Sequence, residues 1–232
     1  MDKNPQEVAA MFDGVARRYD IVNDILSLGR TKAWRKAATK VIAPTPGMKI
    51  LDMAAGTTAV GTINLSGNFS QSGGTISRTA TSTTSAINFI KAAGGTQTIN
   101  QTGGSINLTG MVLNAGNGTS TNTVLLNSNL VIGGTPGTSP AGFMRVQALA
   151  KLNFQTYNIS GTGGFTTVAN ATLITANTDP AGAFNAYPAT TGSLQNGSLA
   201  AHRVYTALTN ITFNGSSDQV IGNGLSTVGN FT

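Results

Sequence analysis

Asp52 ends a short apolar run, Met48-Lys49-Ile50-Leu51-Asp52, and leads into Ala54-Ala55-Gly56-Thr57. A strand that runs into a loop of small residues lets a nucleotide-like ligand approach the backbone at the strand's carboxyl end. Sites of that kind draw on a second carboxylate about 20 residues further on, which holds the ribose hydroxyls. Here that window reads Ser70-Gln71-Ser72-Gly73-Gly74-Thr75-Ile76-Ser77-Arg78, and no acidic residue lies between Asp52 and Asp179.

The remaining reactive side chains are few. His202 is the only histidine and stands beside Arg203 and close to Tyr205 in strand-like sequence. A lone imidazole among Ala, Thr and Asn reads as a surface or cap residue, not as a general base. Asp179 precedes Pro180 and Asp218 follows two serines, which are turn positions. Two isolated carboxylates poorly support a glycosidase acid/base pair, and they are too few for a calcium site, so no metal site is expected. No cysteine is present, which removes disulfides, thiolate nucleophiles and cysteine-based zinc sites together. The glycine-rich stretches lack the Gly-Lys-Ser/Thr of a phosphate loop. No catalytic residue is assigned.

Stepping from these residues to the polymer that carries them, the composition changes near residue 60. Of 14 Lys and Arg, nine precede residue 60, as do six of the eight Asp and Glu. Glycine reverses this, with four of its 29 in the first 60 positions. The net charge of +6 divides evenly between the two parts, and no basic run exceeds two residues. The excess of cations therefore reflects missing carboxylates, and no nucleic-acid partner is expected. The N-terminus has neither the basic start nor the apolar core of a signal peptide. No apolar run approaches the ~18 residues of a transmembrane span.

Residues 1–58 read as helices followed by one strand. Val8, Met11, Phe12 and Val15 follow Pro5 at helical spacing, and Trp34, Ala37, Ala38 and Val41 repeat the pattern before Pro44. Helices, turn, strand and small-residue loop are how a Rossmann-like cofactor domain begins. Phe12-Asp13-Gly14-Val15-Ala16, Tyr19-Asp20-Ile21-Val22-Asn23, Leu26-Ser27-Leu28-Gly29 and Trp34-Arg35 together resemble the ubiquinone/menaquinone biosynthesis methyltransferases. Leu51-Asp52-Met53-Ala54-Ala55-Gly56-Thr57 is similar to that family's first S-adenosylmethionine motif. The resemblance implies that Thr57 contacts the cofactor and that Asp52 and Gly56 shape the loop. The alternating strands and helices that would complete such a sheet do not follow. The site is a truncated one, with no productive cofactor binding expected.

Residues 59–232 have β grammar. Ile63-Asn64-Leu65-Ser66-Gly67-Asn68-Phe69 alternates with period two. Ile87-Asn88-Phe89, Ile106-Asn107-Leu108, Leu152-Asn153-Phe154, Tyr157-Asn158-Ile159 and Ile211-Thr212-Phe213 continue it between Gly-rich turns. No stretch beyond residue 60 sustains a strong amphipathic helix; Phe143 to Leu152 comes nearest, and it is not expected to form one. Gln71-Ser72-Gly73-Gly74-Thr75-Ile76 returns as Gln101-Thr102-Gly103-Gly104-Ser105-Ile106, and Ile63-Asn64-Leu65-Ser66-Gly67 as Ile106-Asn107-Leu108-Thr109-Gly110. Such echoes favour a parallel β-solenoid over a β-sandwich, with inward apolar stacks and ladders of Asn and Thr at the corners. Asn158 to Phe165, Ala171-Thr172-Leu173 and Phe213 to Leu225 resemble repetitive, adhesin-like bacterial cell-surface proteins of the type IX-secreted kind.

The expected fold is thus mainly β, a solenoid over the C-terminal three quarters behind a helical segment and one strand of a truncated Rossmann-like start. Ending at Phe231-Thr232 in strand-like sequence, the chain reads as a fragment at both ends. The two resemblances imply conflicting locations, cytoplasmic for residues 1–58 and the cell surface for the rest. A non-catalytic structural or adhesive module, with an unknown surface ligand or glycan as partner, accounts for most of the chain. An S-adenosylmethionine-dependent methyltransferase of menaquinone biosynthesis accounts for the start. A β-helical polysaccharide lyase would need acidic and basic side chains clustered on one face. A mis-joined or deliberate chimera, with its seam near Thr57 to Gly61, reconciles the two parts.

Overall fold

The computed structural model describes residues 61–78, 85–119, 121–137, 141–225 and 228–232, together with Ile25, Arg30, Ala33, Lys36, Ala37 and Lys40. The chain divides into two units, Met1–Met53 and Ala54–Thr232. In the first, Ile25, Ala33, Lys36, Ala37 and Lys40 have α-helical conformation and are exposed, including Ala37, which the periodicity placed on an apolar face. The strand at Met48–Asp52 expected from the sequence lies outside the described residues.

The second unit is mainly β, as its alternation and turn chemistry predict. Its strands form one six-stranded and one nine-stranded sheet, in which every pairing is parallel. The six-stranded sheet holds β1 (Thr62–Leu65), β3 (Ser85–Phe89), β5 (Met111–Ala115), β8 (Phe143–Val146), β11 (Gly164–Thr167) and β14 (Arg203–Val204), in that order. The nine-stranded sheet takes β2 (Phe69–Ile76), β4 (Thr96–Asn107), β6 (Thr123–Leu126), β7 (Leu130–Gly133), β9 (Lys151–Asn153), β10 (Ile159–Gly161), β12 (Thr172–Thr175), β13 (Leu194–Asn196) and β15 (Asn210–Phe213). The chain visits the six-stranded sheet, crosses to the nine-stranded one, and returns beside its previous pass.

Register is what makes this a packed object. Ile63, Ile87, Leu113, Met144 and Phe165 lie over one another across five strands of the first sheet. In the second sheet Val124, Leu152, Leu173 and Ile211 form another column, all fully buried. Ile106 over Ile132, and Leu130, Ile159 and Leu194, form two more. Each such side chain contributes on the order of 1.5–3 kcal/mol by leaving water, and the columns merge into one continuous core. Rungs approach closely enough that Gly161, at φ 99°, could not be replaced: a Cβ there would lie 2.3 Å from the Ile132 carbonyl oxygen.

Polar residues join the same columns. Asn88 Nδ2 donates to Asn64 Oδ1 at 2.9 Å, Asn114 Nδ2 to Asn88 Oδ1 at 2.7 Å, and Gln147 Nε2 to Asn114 Oδ1 at 2.9 Å. The three asparagines occupy one register position of β1, β3 and β5, so this ladder runs along strands and not at corners. A second step lies in the nine-stranded sheet, where buried Gln101 Nε2 donates to Gln71 Oε1 at 2.8 Å while its own Oε1 accepts from the Val131 N–H at 2.6 Å. Gln97, fully buried, donates to the Leu65 and Gly67 carbonyls and accepts from the Lys91 N–H.

One expectation holds and one needs correction. Phe143 to Leu152 is not a helix, as the lack of any strong amphipathic pattern past residue 60 led one to expect: Phe143–Val146 is β8, bonded between β5 and β11, and Leu149 takes φ 64°, which no right-handed helix accommodates. The echo between Ile63–Gly67 and Ile106–Gly110 is not a stacking repeat, since Ile63 pairs with Ile87 and Ile106 with Ile132 in the other sheet. The Gln71/Gln101 echo is one: Gln71 faces Gln101, Thr75 faces Ser105 and Ile76 faces Ile106.

Near the last strands four rings close a cycle: Phe154 with Phe165 at 6.3 Å, Phe165 with Tyr205 at 6.3 Å, Tyr205 with Phe184 at 6.4 Å, and Phe184 with Phe154 at 5.9 Å. The Tyr205 hydroxyl is buried there without a hydrogen-bond partner. Burial pushes its pKa well up, against a smaller opposing pull from Arg203.

Two outcomes follow from this packing. Asn114→Ala removes both neighbours' partner in the middle of the ladder, and a loss of about 1–3 kcal/mol is expected, read as a lower denaturant midpoint at unchanged slope. Tyr205→Phe removes an unsatisfied buried hydroxyl, so the melting temperature at neutral pH stays level or rises. In the unfolded chain Tyr205 ionises near about pH 10, whereas the folded chain keeps it neutral. The native state therefore binds more protons above that pH, and stability falls as pH rises past it. Melting curves between pH 8 and 11 should show that fall shrinking in Tyr205→Phe; an identical fall in both proteins would refute the assignment.

Candidate functional site

Asp52, Gly56 and Thr57, the residues tied by resemblance to S-adenosylmethionine, lie outside the described residues. The other sequence-level candidates are all placed. Asp179 acts in a turn, as Pro180 suggests: its carboxylate accepts from the Ala181 N–H at 2.8 Å and the Gly192 N–H at 3.2 Å. Asp218 is exposed. Among the described residues no three His, Asp or Glu side chains approach one another closely enough to hold a metal ion.

His202 has company that its sequence neighbours only hint at. It ends a short 3-10 turn, Ala200–His202, which delivers Arg203 into β14. Its Nδ1 shares a hydrogen bond of 3.0 Å with Ser198 Oγ, and its ring meets the edge of Phe143 at 6.4 Å. The Ser198 carbonyl accepts from the Tyr187 hydroxyl at 2.6 Å, and Tyr187 is 37% exposed. The Arg203 guanidinium lies 5.7 Å from the Tyr187 ring centroid, a cation–π distance. Its Nε donates to the Asn196 carbonyl and its Nη1 to the Asn185 carbonyl at 3.2 Å. Burial lowers the Arg203 pKa, while Tyr205 and then Tyr187 act in the opposite direction. No carboxylate figures among those influences.

The elements that build this cluster explain why the sequence concealed it. In earlier passes the corner inside the nine-stranded sheet is short, residues 127–129 and 154–158, but between β12 and β13 it expands to residues 176–193. The expansion is tied down by the Ala183 N–H to the Val220 carbonyl, the Phe184 N–H to the Ile221 carbonyl, and Phe184 buried in the ring cycle. Tyr187 rides on that excursion, far in sequence from Arg203. The one available signal was the break in repeat spacing after Thr175.

Comparison with known proteins bears on the other end of the chain. The ubiE/COQ5 methyltransferase family model matches residues 1–127, a span that continues past residue 58 through β1 to β6. A demethylmenaquinone methyltransferase of Mycolicibacterium paratuberculosis is 58% identical over 65 residues, covering 28% of this chain and 28% of that protein. Those of Mycolicibacterium vanbaalenii (53% over 68 residues, 29% of each) and Mycobacterium marinum (55% over 65 residues, 28% of each) are similar. This chain thus spans less than a third of the length of the curated relatives it matches. No solved structure matches the fold. Because the family match takes in residues 1–127 of 232, more than half of its length, the chain belongs to the ubiE/COQ5 methyltransferase family.

Proposed function

We propose that the chain joins the S-adenosylmethionine-binding opening of a demethylmenaquinone methyltransferase to a structural β unit that does not complete the methyl-transfer site. Of the activities its sequence suggests, methyl transfer to demethylmenaquinone is the one that the relatives support, and the family match over residues 1–127 includes Asp52, Gly56 and Thr57. What opposes a working enzyme is the stretch after that motif. Within the matched span the described residues from Gly61 onward are strands and turns, and no carboxylate follows Asp52 until Asp179. A ribose-holding acid at the second strand has no candidate there.

The single observation carrying the structural reading of the β unit is its register. Five successive strands place Ile63, Ile87, Leu113, Met144 and Phe165 in one column, and Asn64, Asn88 and Asn114 in another. That regularity supports a solenoid, in which each pass of the chain stacks on the one before. It suits a spacer or adhesive module, with a surface glycan as the class of partner. Such a module belongs outside the cell and the methyltransferase opening inside it, so the reading includes a joined frame with its seam near Thr57 to Gly61. A continuous genomic read across that seam, together with expression of the joined product, would exclude misassembly.

Calorimetric titration of the whole folded chain with S-adenosylmethionine tests the division of labour. The expected result is no saturable heat up to millimolar cofactor and no methyl transfer to a demethylmenaquinone analogue. Micromolar binding abolished by Asp52→Ala would overturn the proposal and establish a complete cofactor site.

A further inference from the structure

The cluster around Arg203 is not used by either half of that reading. A guanidinium held among aromatic rings is costly to desolvate and is ordinarily matched by a carboxylate. Arg203 is matched only by two backbone carbonyls and a π-face. These engage Nε and one Nη1 hydrogen, while the remaining donors of the fork have no partner among the described residues. Beside it Tyr187 presents a ring that is more than a third exposed and cannot swing, because its hydroxyl is tied to the Ser198 carbonyl. His202 is fixed through the same residue by its Nδ1, which leaves Nε2 uncommitted. Gly197, at φ 91°, packs directly against the base of His202 and so helps to fix it; a Cβ there would stand 3.3 Å from the His202 Cβ.

We infer that Tyr187, Arg203 and His202 form a binding site for a carboxylated saccharide of the uronate type. The chemistry is complementary on both counts. A planar carboxylate takes two parallel N–H donors from the guanidinium fork, and the C–H face of a pyranose lies on an aromatic ring held in place. Imidazole and hydroxyl groups serve the sugar's alcohols. Placement agrees with this. The site forms where the long excursion 176–193, carrying Tyr187, meets the 3-10 turn and β14 that carry His202 and Arg203, and ligand sites favour loops carried by a rigid scaffold. The inference specifies the glycan class left open for the β unit. It is independent of the methyltransferase opening, so a negative titration with S-adenosylmethionine leaves it untouched.

The test is calorimetric titration of the full chain with trigalacturonate, set against the same trisaccharide fully methyl-esterified, which keeps the rings and removes the charge. Trigalacturonate is expected to bind with a Kd on the order of 1 mM or tighter. The ester should bind about tenfold more weakly, the factor that loss of one charge-assisted contact of about 1.4 kcal/mol brings. Tyr187→Ala and His202→Ala, both at the surface, should weaken binding at an unchanged melting temperature. Arg203→Lys keeps the charge, removes the fork and should weaken it as well. Equal affinity for acid and ester would overturn the anionic specificity. No binding at millimolar sugar, or full binding in Tyr187→Ala, would show that Arg203 is only a clasp holding residues 176–193 to the stack.

Discussion

Parallel strands that recur with each pass of the chain impose one constraint: whatever occupies a position must be compatible with the residues directly above and below it. A slip of one residue would exchange the inward and outward sets of an entire strand. Here the constraint is met twice over. Apolar columns fill the interior, and the amide ladders make the register specific, because a carboxamide has a donor and an acceptor and can serve both neighbours at once. Asn88 gives to Asn64 and receives from Asn114, and neither bond survives a shift of the strand. Alternation alone would favour β structure, and the ladder selects among registers.

That logic explains how much was legible before the structure was known. Ile87-Asn88-Phe89 and Ile211-Thr212-Phe213 announced β3 and β15 because both faces differ in polarity, which is what period-two reading detects. Met111–Ala115 carries no such contrast: all five residues of β5 are buried, so alternation is silent. Phe143 to Leu152 is ambiguous in sequence for a related reason. Its apolar residues satisfy helical spacing as well as a strand and a turn, and only pairing with β5 and β11 decides between them. Local pattern cannot contain that information. The Gln71/Gln101 echo succeeded where the Ile63/Ile106 echo failed because its glycines and amides fix a bulged corner, whereas Ile-Asn-Leu suits any half-buried strand.

The candidate sites divide in the same way. Asp52, Gly56 and Thr57 could be singled out because a nucleotide loop is contiguous in sequence, and they fall within the family match over residues 1–127. The Arg203 cluster was not readable, because it depends on the long corner after β12, which brings Tyr187 back to β14. His202 was noticed for its rarity and discounted for its isolation. Its isolation is only apparent in sequence, since Ser198 and Phe143 meet it in the fold.

The two kinds of evidence therefore concern different properties of one chain. Kinship tracks ancestry, and here it takes in residues 1–127. Architecture tracks what the whole polymer can bury, and past residue 60 that is a narrow interior of Ile, Leu, Val and Phe with almost no carboxylates. Methyl transfer needs a pocket that holds a nucleoside and excludes water, built from several strand ends at once. A stack of short strands fills its interior with its own side chains and leaves chemistry to its corners. Where the chain leaves those columns, at residues 176–193, polar groups can converge without disturbing the packing beneath them, as Tyr187 and Arg203 do.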